Sequence, residues 1–200
     1  MNVFISLFIS SLLNLDNTSV FQILLSRPSF TGFALGWING FPLEGFIIGI
    51  LTELFVYDFV PVGGVPVPNG TIACSIAIIL MPYYDNKIYI PFFIGLIVGE
   101  GFSYIEVYLR TIKSYFNRII EKRFMEYKFR VGDIIFYSII IDVLVYIIYG
   151  FIIYWLFSWL SHYLNSNYLN SVFKFSMIGT FFIIISSLFF KFKTQVSKNE

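Results

Sequence analysis

Apolar runs of two lengths alternate with polar interruptions along this chain. A helix that crosses the roughly 30 Å apolar core of a bilayer needs about 20 apolar residues. Three later runs are long enough to cross, and four earlier runs are short or carry an acid. The long runs are residues 88–109, 134–160 and 173–190, and the earlier ones are 3–13, 30–38, 43–60 and 72–84. This pattern predicts an all-α integral membrane protein, a polytopic helical bundle with short or re-entrant helical hairpins in its N-terminal half.

Composition agrees with a membrane protein and excludes several other classes. The 200 residues are 58% hydrophobic and 21% aromatic, with a mean hydropathy of +0.80. The formal net charge is only +1, so we expect no nucleic-acid partner. The single cysteine, Cys74, lies in an apolar run, which excludes an internal disulfide and argues against a cysteine metal site. We therefore expect neither a metal nor a cofactor.

Basic residues predict the orientation, because short loops rich in Lys and Arg stay in the cytoplasm. Seven of the 13 Lys and Arg residues lie between Arg110 and Arg130, and the C-terminal tail is also basic. The predicted division is a membrane region with broken helices and the candidate site (1–109), a cytoplasmic basic amphipathic segment (110–130), two spans (131–190) and a cytoplasmic tail (191–200). Segment 110–130 is either a solvated connection that sets topology or a docking surface for a cytoplasmic partner.

Glycine recurs at four-residue spacing in three of the runs, a pattern that lets helix backbones approach closely inside a membrane. One further step of four from Gly49 reaches Glu53, and Glu106 lies seven residues beyond Gly99. We expect both acids to face protein rather than lipid. The three stripes are Gly32, Gly36 and Gly40; Gly45 and Gly49; Gly95 and Gly99.

Glu53 is the first candidate site residue, because an ionisable group at membrane depth costs about 2.5 to 3.5 kcal/mol and usually faces a polar cavity. The stretch "PVGGVPVPNG" that follows cannot be regular helix, and Asn69 at its end is placed to cap the next helix. Structural alternatives stay open. Glu53 could be hydrogen-bonded for packing, Asn69 could be a plain cap, and Asp58 reads better as an exposed interfacial carboxylate.

Residues 27–80 resemble the enzyme IIC subunit of the mannose/fructose/sorbose family of bacterial sugar phosphotransferase systems. The resemblance rests on Arg27-Pro28 before a Gly-rich helix, the helix from Gly45 to Glu53, then Gly63, and the turn Val67-Pro68-Asn69. The stretch "LDNTSVFQILLSRP", with Asp16 and Gln22, is similar to the family's preceding segment. The stretch "LRTIKSYFNR" is similar to its cytoplasmic loop.

The resemblance implies a multi-pass permease subunit in the bacterial cytoplasmic membrane. Such a subunit works beside an enzyme IID membrane subunit, with soluble IIA and IIB phosphocarriers, and oligomers are possible. It is not an enzyme by itself and has no catalytic residue of its own. The phosphoryl group comes from phosphoenolpyruvate and arrives from IIB, which agrees with the lone His162 lying on the predicted outer side.

The resemblance also implies roles for individual residues. Glu53 matches the family's acid in the cavity helix, and Asn69 matches the Asp of its Pro-Asp turn. Both would bind sugar hydroxyls, with Pro68 and Gly63 in the same site. Secondary candidates are Asp16, Gln22 and Asp58.

Two departures keep an alternative function open. The turn carries Asn69 where the family usually has Asp, and the chain is short for the family. The alternative is a non-transporting homologue that acts as a sugar-binding, regulatory or structural membrane subunit.

Overall fold

The computed structural model describes residues 3–18, 24–57, 66–123, 131–164 and 167–196. Within these ranges the chain is helical apart from short turns and contains no strand, as the apolar pattern predicts. Every predicted apolar run forms a helix. The elements are α1 (Val3–Thr18), α2 (Pro28–Asn39), α3 (Pro42–Tyr57), α4 (Gly70–Leu80), a 3₁₀ turn (Met81–Tyr84), α5 (Tyr89–Arg123), α6 (Val131–Leu164) and α7 (Asn167–Val196).

Helices α2 and α3 form a tight hairpin whose turn is built by Gly40. Pro28 stands at the first position of α2, where its missing N–H costs no hydrogen bond. Gly40 ends α2 with a φ of 86°, a left-handed conformation that glycine adopts without steric cost. The amide of Phe41 then donates to the carbonyl of Gly36 at 2.7 Å, which completes the helix cap. Pro42 begins α3 immediately afterwards.

The glycine stripes of α2 and α3 face each other. A Cβ added to Gly32 would lie 2.3 Å from the carbonyl oxygen of Gly45, and one added to Gly49 would lie 2.4 Å from that of Pro28. The predicted close approach is therefore confirmed for these two helices. It is wrong for Gly40, because a Cβ there would meet nothing within 4 Å. Gly40 serves the turn and not the packing face.

Helix α4 is the centre of the described structure. All of its residues, Gly70–Leu80, are buried, and at about 1.5 Å per residue the helix is roughly 16 Å long, too short to cross a bilayer. It packs along α5, where a Cβ on Gly95 would lie 2.3 Å from the carbonyl oxygen of Ala73. Together α4, the 3₁₀ turn and α5 form a second hairpin. These features confirm the prediction of short hairpins in the N-terminal half.

Among the described residues, three helical stretches are long and apolar enough to span a membrane: Tyr89–Tyr115, Ile135–Leu164 and Tyr168–Phe190. The first is half buried inside the protein, whereas the other two present mostly exposed apolar side chains. Such faces are suited to contact lipid or another membrane subunit. Helix α5 continues without a break past residue 110 to Arg123, so the start of the basic segment is helical. Residues 124–130 lie outside the described part of the chain.

The glycine packing makes a direct stability prediction. Gly45→Ala should lower the melting temperature of the purified protein by several degrees, because its Cβ would fall 2.3 Å from the Gly32 carbonyl oxygen and such overpacking costs about 1 to 3 kcal/mol. Gly179→Ala in α7 is the matched control, since nothing lies within 4 Å of a Cβ at that position. It should leave the melting temperature unchanged or raise it slightly. Equal effects of the two substitutions would contradict this packing.

Candidate functional site

The hairpin register places Glu53 opposite the start of α2. Gly32 faces Gly45, and four residues further along α3 Gly49 faces Pro28 and Ser29. One more turn of α3 therefore brings Glu53 level with the beginning of α2. The prediction that Glu53 shares the protein-facing side of Gly45 and Gly49 is confirmed.

The carboxylate of Glu53 joins two groups at that helix start. Arg27 Nη1 donates to Glu53 Oε1 at 2.7 Å, and the Ser29 amide donates to Glu53 Oε2 at 3.2 Å. Ser29 is in the first turn of α2, where amide groups lack partners within the helix and where a negative charge is favoured. Arg27 occupies the N-cap position of α2, but its side chain makes no capping hydrogen bond. Glu53, which belongs to α3, accepts the hydrogen bond from the Ser29 amide instead.

A groove of about 530 Å³ opens beside this ion pair. The side chains of Arg27 and Glu53 are 47% and 24% exposed, so both reach the groove while remaining bonded to each other. An ion pair this exposed contributes at most about 1 kcal/mol to stability. Its groups therefore remain available to a ligand at small cost. The other lining residues are four apolar side chains and two with hydroxyl groups: Phe46, Ile50, Leu54 and Leu188, with Ser29 and Tyr57.

Asn69 is fully used by the protein. It is 2% exposed, and its Oδ1 accepts from the amide of Ile72 at 3.1 Å, which caps α4. Its Nδ2 donates to Asn14 Oδ1 at 2.8 Å and to Glu106 Oε1 at 2.7 Å. The plain cap considered at the sequence level is therefore present, and the same side chain also connects α1, α4 and α5.

The glycine stripe of α5, Gly95 and Gly99, explains how Glu106 reaches Asn69. A Cβ on Gly99 would lie 2.7 Å from the carbonyl oxygen of Asn69, and the Asn69 amide donates to the carbonyl of Gly99 at 3.0 Å. Glu106 lies two turns further along the same face of α5 and is 8% exposed. Its Oε1 accepts a hydrogen bond from Asn69 Nδ2. The prediction that Glu106 faces protein is confirmed.

Glu53 and Asn69 have different hydrogen-bond partners, and two other residues hold Ser26, at the start of the segment that Glu53 contacts. Thr71 in α4 donates to the carbonyl of Ser26 at 2.8 Å. Asp16 Oδ2 in α1 accepts from the Ser26 amide at 3.1 Å. The two predicted site residues therefore have no hydrogen-bond partner in common.

The remaining predicted site residues divide into two groups. Asp16 and Pro68 are buried, Asp16 against Ser26 and Pro68 next to Asn69. Gln22, Asp58 and Gly63 lie outside the described residues. In the described ranges no cluster of three or more His, Cys, Asp or Glu residues is arranged to hold a metal ion.

Sequence reasoning missed two partners. Asn14 was not considered, although Ser6, Ser10 and Asn14 recur every four residues in an apolar run and are all buried. That spacing places them on one face of α1 and was a usable signal. Arg27 was noted only as part of a motif, and its pairing with Glu53 depends on the α2–α3 hairpin.

The Asn69 contacts predict an energetic coupling with Glu106. Asn69→Asp would replace an amide donor by a second carboxylate at hydrogen-bond distance from Glu106 Oε1, and should lower the melting temperature at neutral pH. Glu106→Gln added to Asn69→Asp restores a donor between the two positions. The double variant should therefore melt at a higher temperature than Asn69→Asp alone. Additive losses in a double-mutant cycle would contradict direct contact.

Comparison with solved structures identifies a shared fold. A structure described as "Structure of membrane protein" superposes with a TM-score of 0.69 over 93% of this chain and 77% of that chain. The two sequences are 19% identical, so the likeness concerns the fold alone. A search of curated proteins found no match.

Comparison with protein families covers nearly the whole chain. The family described as the sorbose-specific IIC component of the phosphotransferase system matches residues 1–189. A IIC component is the membrane-embedded sugar-transport subunit of such a system and works with the system's other components. The match agrees with the resemblance seen in residues 27–80 and extends it through all seven of the helices described above. The chain belongs to the sorbose-type family of IIC components of the sugar phosphotransferase system.

Proposed function

We propose that this chain translocates a hexose or related sugar across the bacterial cytoplasmic membrane, and that the sugar binds at the Glu53 groove and near Asn69. The observation that carries the proposal is the Glu53 carboxylate, which is held by Arg27 and the Ser29 amide and still reaches a groove of about 530 Å³. That volume lies within the usual range of small-molecule sites.

The chemistry of the groove suits a polyhydroxylated ligand. A hydroxyl group both donates and accepts hydrogen bonds, and here a carboxylate and a guanidinium stand side by side. Hydrogen bonds to ionised groups are shorter and stronger than those between neutral groups. The apolar side chains of Phe46, Ile50 and Leu54 provide a surface for the carbon face of a sugar ring.

Asn69 supports the proposal through its position. It ends the non-helical residues 66–69 that precede α4, and non-helical backbone at membrane depth is tolerated where it lines a cavity or is buried in protein. In this proposal Asn69, with Pro68, offers its amide to the sugar when its contact with Asn14 or Glu106 is exchanged. Gly63 and the secondary candidates Asp16, Gln22 and Asp58 remain predictions.

The proposed partners are an enzyme IID membrane subunit and the soluble IIA and IIB phosphocarriers. The chain's single histidine, His162, is exposed near the end of α6, on the predicted outer side. The proposal therefore assigns the phosphoryl transfer to IIB and leaves this subunit to bind and move the sugar. The mostly exposed apolar faces of α6 and α7 offer ample surface for a membrane partner.

One observation favours the second candidate, a non-transporting sugar-binding, regulatory or structural subunit. Both amide hydrogens of Asn69 are donated within the protein, and this position lacks the charge of the family's usual Asp. A subunit that only assembles with partners would need nothing more from this residue.

The proposal predicts a specific loss of transport. Glu53→Gln keeps the size of the side chain but removes the charge that pairs with Arg27, so uptake of the sugar by cells that express all partners should fall at least tenfold. Glu44→Gln is the matched control, because Glu44 lies in the first turn of the same helix, away from the groove lining. Its uptake should stay within twofold of the unmodified protein.

Membrane abundance of both variants is measured in parallel. Normal uptake by an abundant Glu53→Gln variant would refute the assignment of Glu53. No uptake of any hexose by the unmodified protein, with all partners present, would favour the non-transporting alternative.

A further inference from the structure

A second polar cavity, of about 140 Å³, lies between α1, α5 and α6. Its lining shares no residue with the groove. Four charged side chains contribute, together with one hydroxyl and one aromatic ring. The lining consists of Asn14, Phe102, Glu106, Leu109, Arg110, Lys113, Ser138 and Asp142.

We propose that this cavity is a second binding position for the transported sugar, with Glu106 as the acceptor of its hydroxyl hydrogen bonds. The inference rests on the proposed function. It adds that the sugar occupies two positions along its path, one at Glu53 and one at Glu106, the acid to which Asn69 donates.

Glu106 is the strongest reason. Its side chain is 8% exposed, and Asn69 Nδ2 donates to it at 2.7 Å. The ion pairs among the described residues join Arg27 with Glu53, Lys87 with Asp85 and Lys113 with Asp142, so Glu106 is in none of them. Burial of this carboxylate is costly even with Arg110 in the same lining, and packing alone would be served better by a glutamine or a leucine. A ligand that needs a charged acceptor accounts for the acid.

The balance of charges favours a neutral, hydroxyl-rich ligand over an ion. Arg110 and Lys113 are cationic, while Glu106 and Asp142 are anionic, so the lining has no net preference for either sign. A sugar can donate hydroxyl hydrogens to the carboxylates and accept from the guanidinium and the amides. Phe102 contributes an apolar ring to the same lining, a common feature of ligand sites.

The cavity is about large enough for one six-membered ring. A volume of about 140 Å³ is close to that of an apolar cavity of about 150 Å³ known to bind benzene. A hexose carries hydroxyl groups on its ring and is larger than benzene, so the cavity as it stands accommodates only part of the sugar. The ion pair between Lys113 and Asp142 links α5 to α6 beside the cavity, and its separation would widen the site for the whole sugar.

Cysteine labelling separates the two positions, because the chain's only cysteine, Cys74, is fully buried and gives a low background. Three single substitutions in the full chain are compared: Ser138→Cys in the cavity, Leu54→Cys in the Glu53 groove, and Tyr137→Cys. Tyr137 is the matched control because it adjoins Ser138 and its side chain is exposed outside the cavity lining. A hydrophilic thiol reagent is applied with and without D-mannose, D-fructose, L-sorbose or D-glucosamine.

We expect one sugar to slow labelling at both Leu54→Cys and Ser138→Cys by threefold or more, and to leave Tyr137→Cys unchanged. Adding Glu106→Gln should abolish the protection of Ser138→Cys and preserve that of Leu54→Cys. The comparison of Ser138→Cys with Tyr137→Cys decides the matter even if Glu106→Gln fails to fold.

Two other outcomes are distinguishable. Protection at Leu54→Cys without protection at Ser138→Cys would overturn the second position and leave the proposed function standing. Protection at neither position by any of the sugars would overturn the proposed function together with this inference.

Discussion

The arrangement of this protein depends on the contacts of Asn69. Its side chain caps α4 through Ile72, its amide nitrogen reaches α1 and α5, and its backbone amide bonds to Gly99. Inside a bilayer no water is available to satisfy a helix end, so a short buried helix such as α4 needs such a cap from the protein itself. One residue thereby fixes where the central helix begins and where Glu106 lies.

The glycine contacts supply the second constraint. A Cβ atom added to Gly32, Gly45 or Gly95 would lie 2.3 Å from a carbonyl oxygen of the neighbouring helix. Helices that approach this closely hold their polar groups in fixed positions, which a binding site requires. The ion pair of Arg27 and Glu53 follows from this geometry, since the hairpin register brings the two residues together. Fold and candidate site are therefore consequences of the same close packing.

Much of this could be predicted from the sequence because the bilayer imposes a strict length on apolar helices. The seven runs and the packing faces of Gly45, Gly49 and Gly99 follow from that length and from four-residue spacing. Counting Gly40 in the packing stripe was wrong because glycine serves both close packing and helix ends, and here Gly40, two residues before Pro42, ends α2. The spacing of Ser6, Ser10 and Asn14 indicates a polar face on α1, but the Asn14–Asn69 and Arg27–Glu53 pairs depend on contacts between segments distant in sequence, which periodicity along one helix cannot reveal.

The central claim is that a sugar binds at Glu53. It is tested most directly by the melting temperature of the purified protein, prepared with its proposed IID partner, against a panel of hexoses and amino sugars. A ligand that binds only the folded state must raise its stability. The account predicts that one sugar raises the melting temperature and that Glu53→Gln removes the increase. An increase of the same size in Glu53→Gln, or none with any sugar, would contradict it.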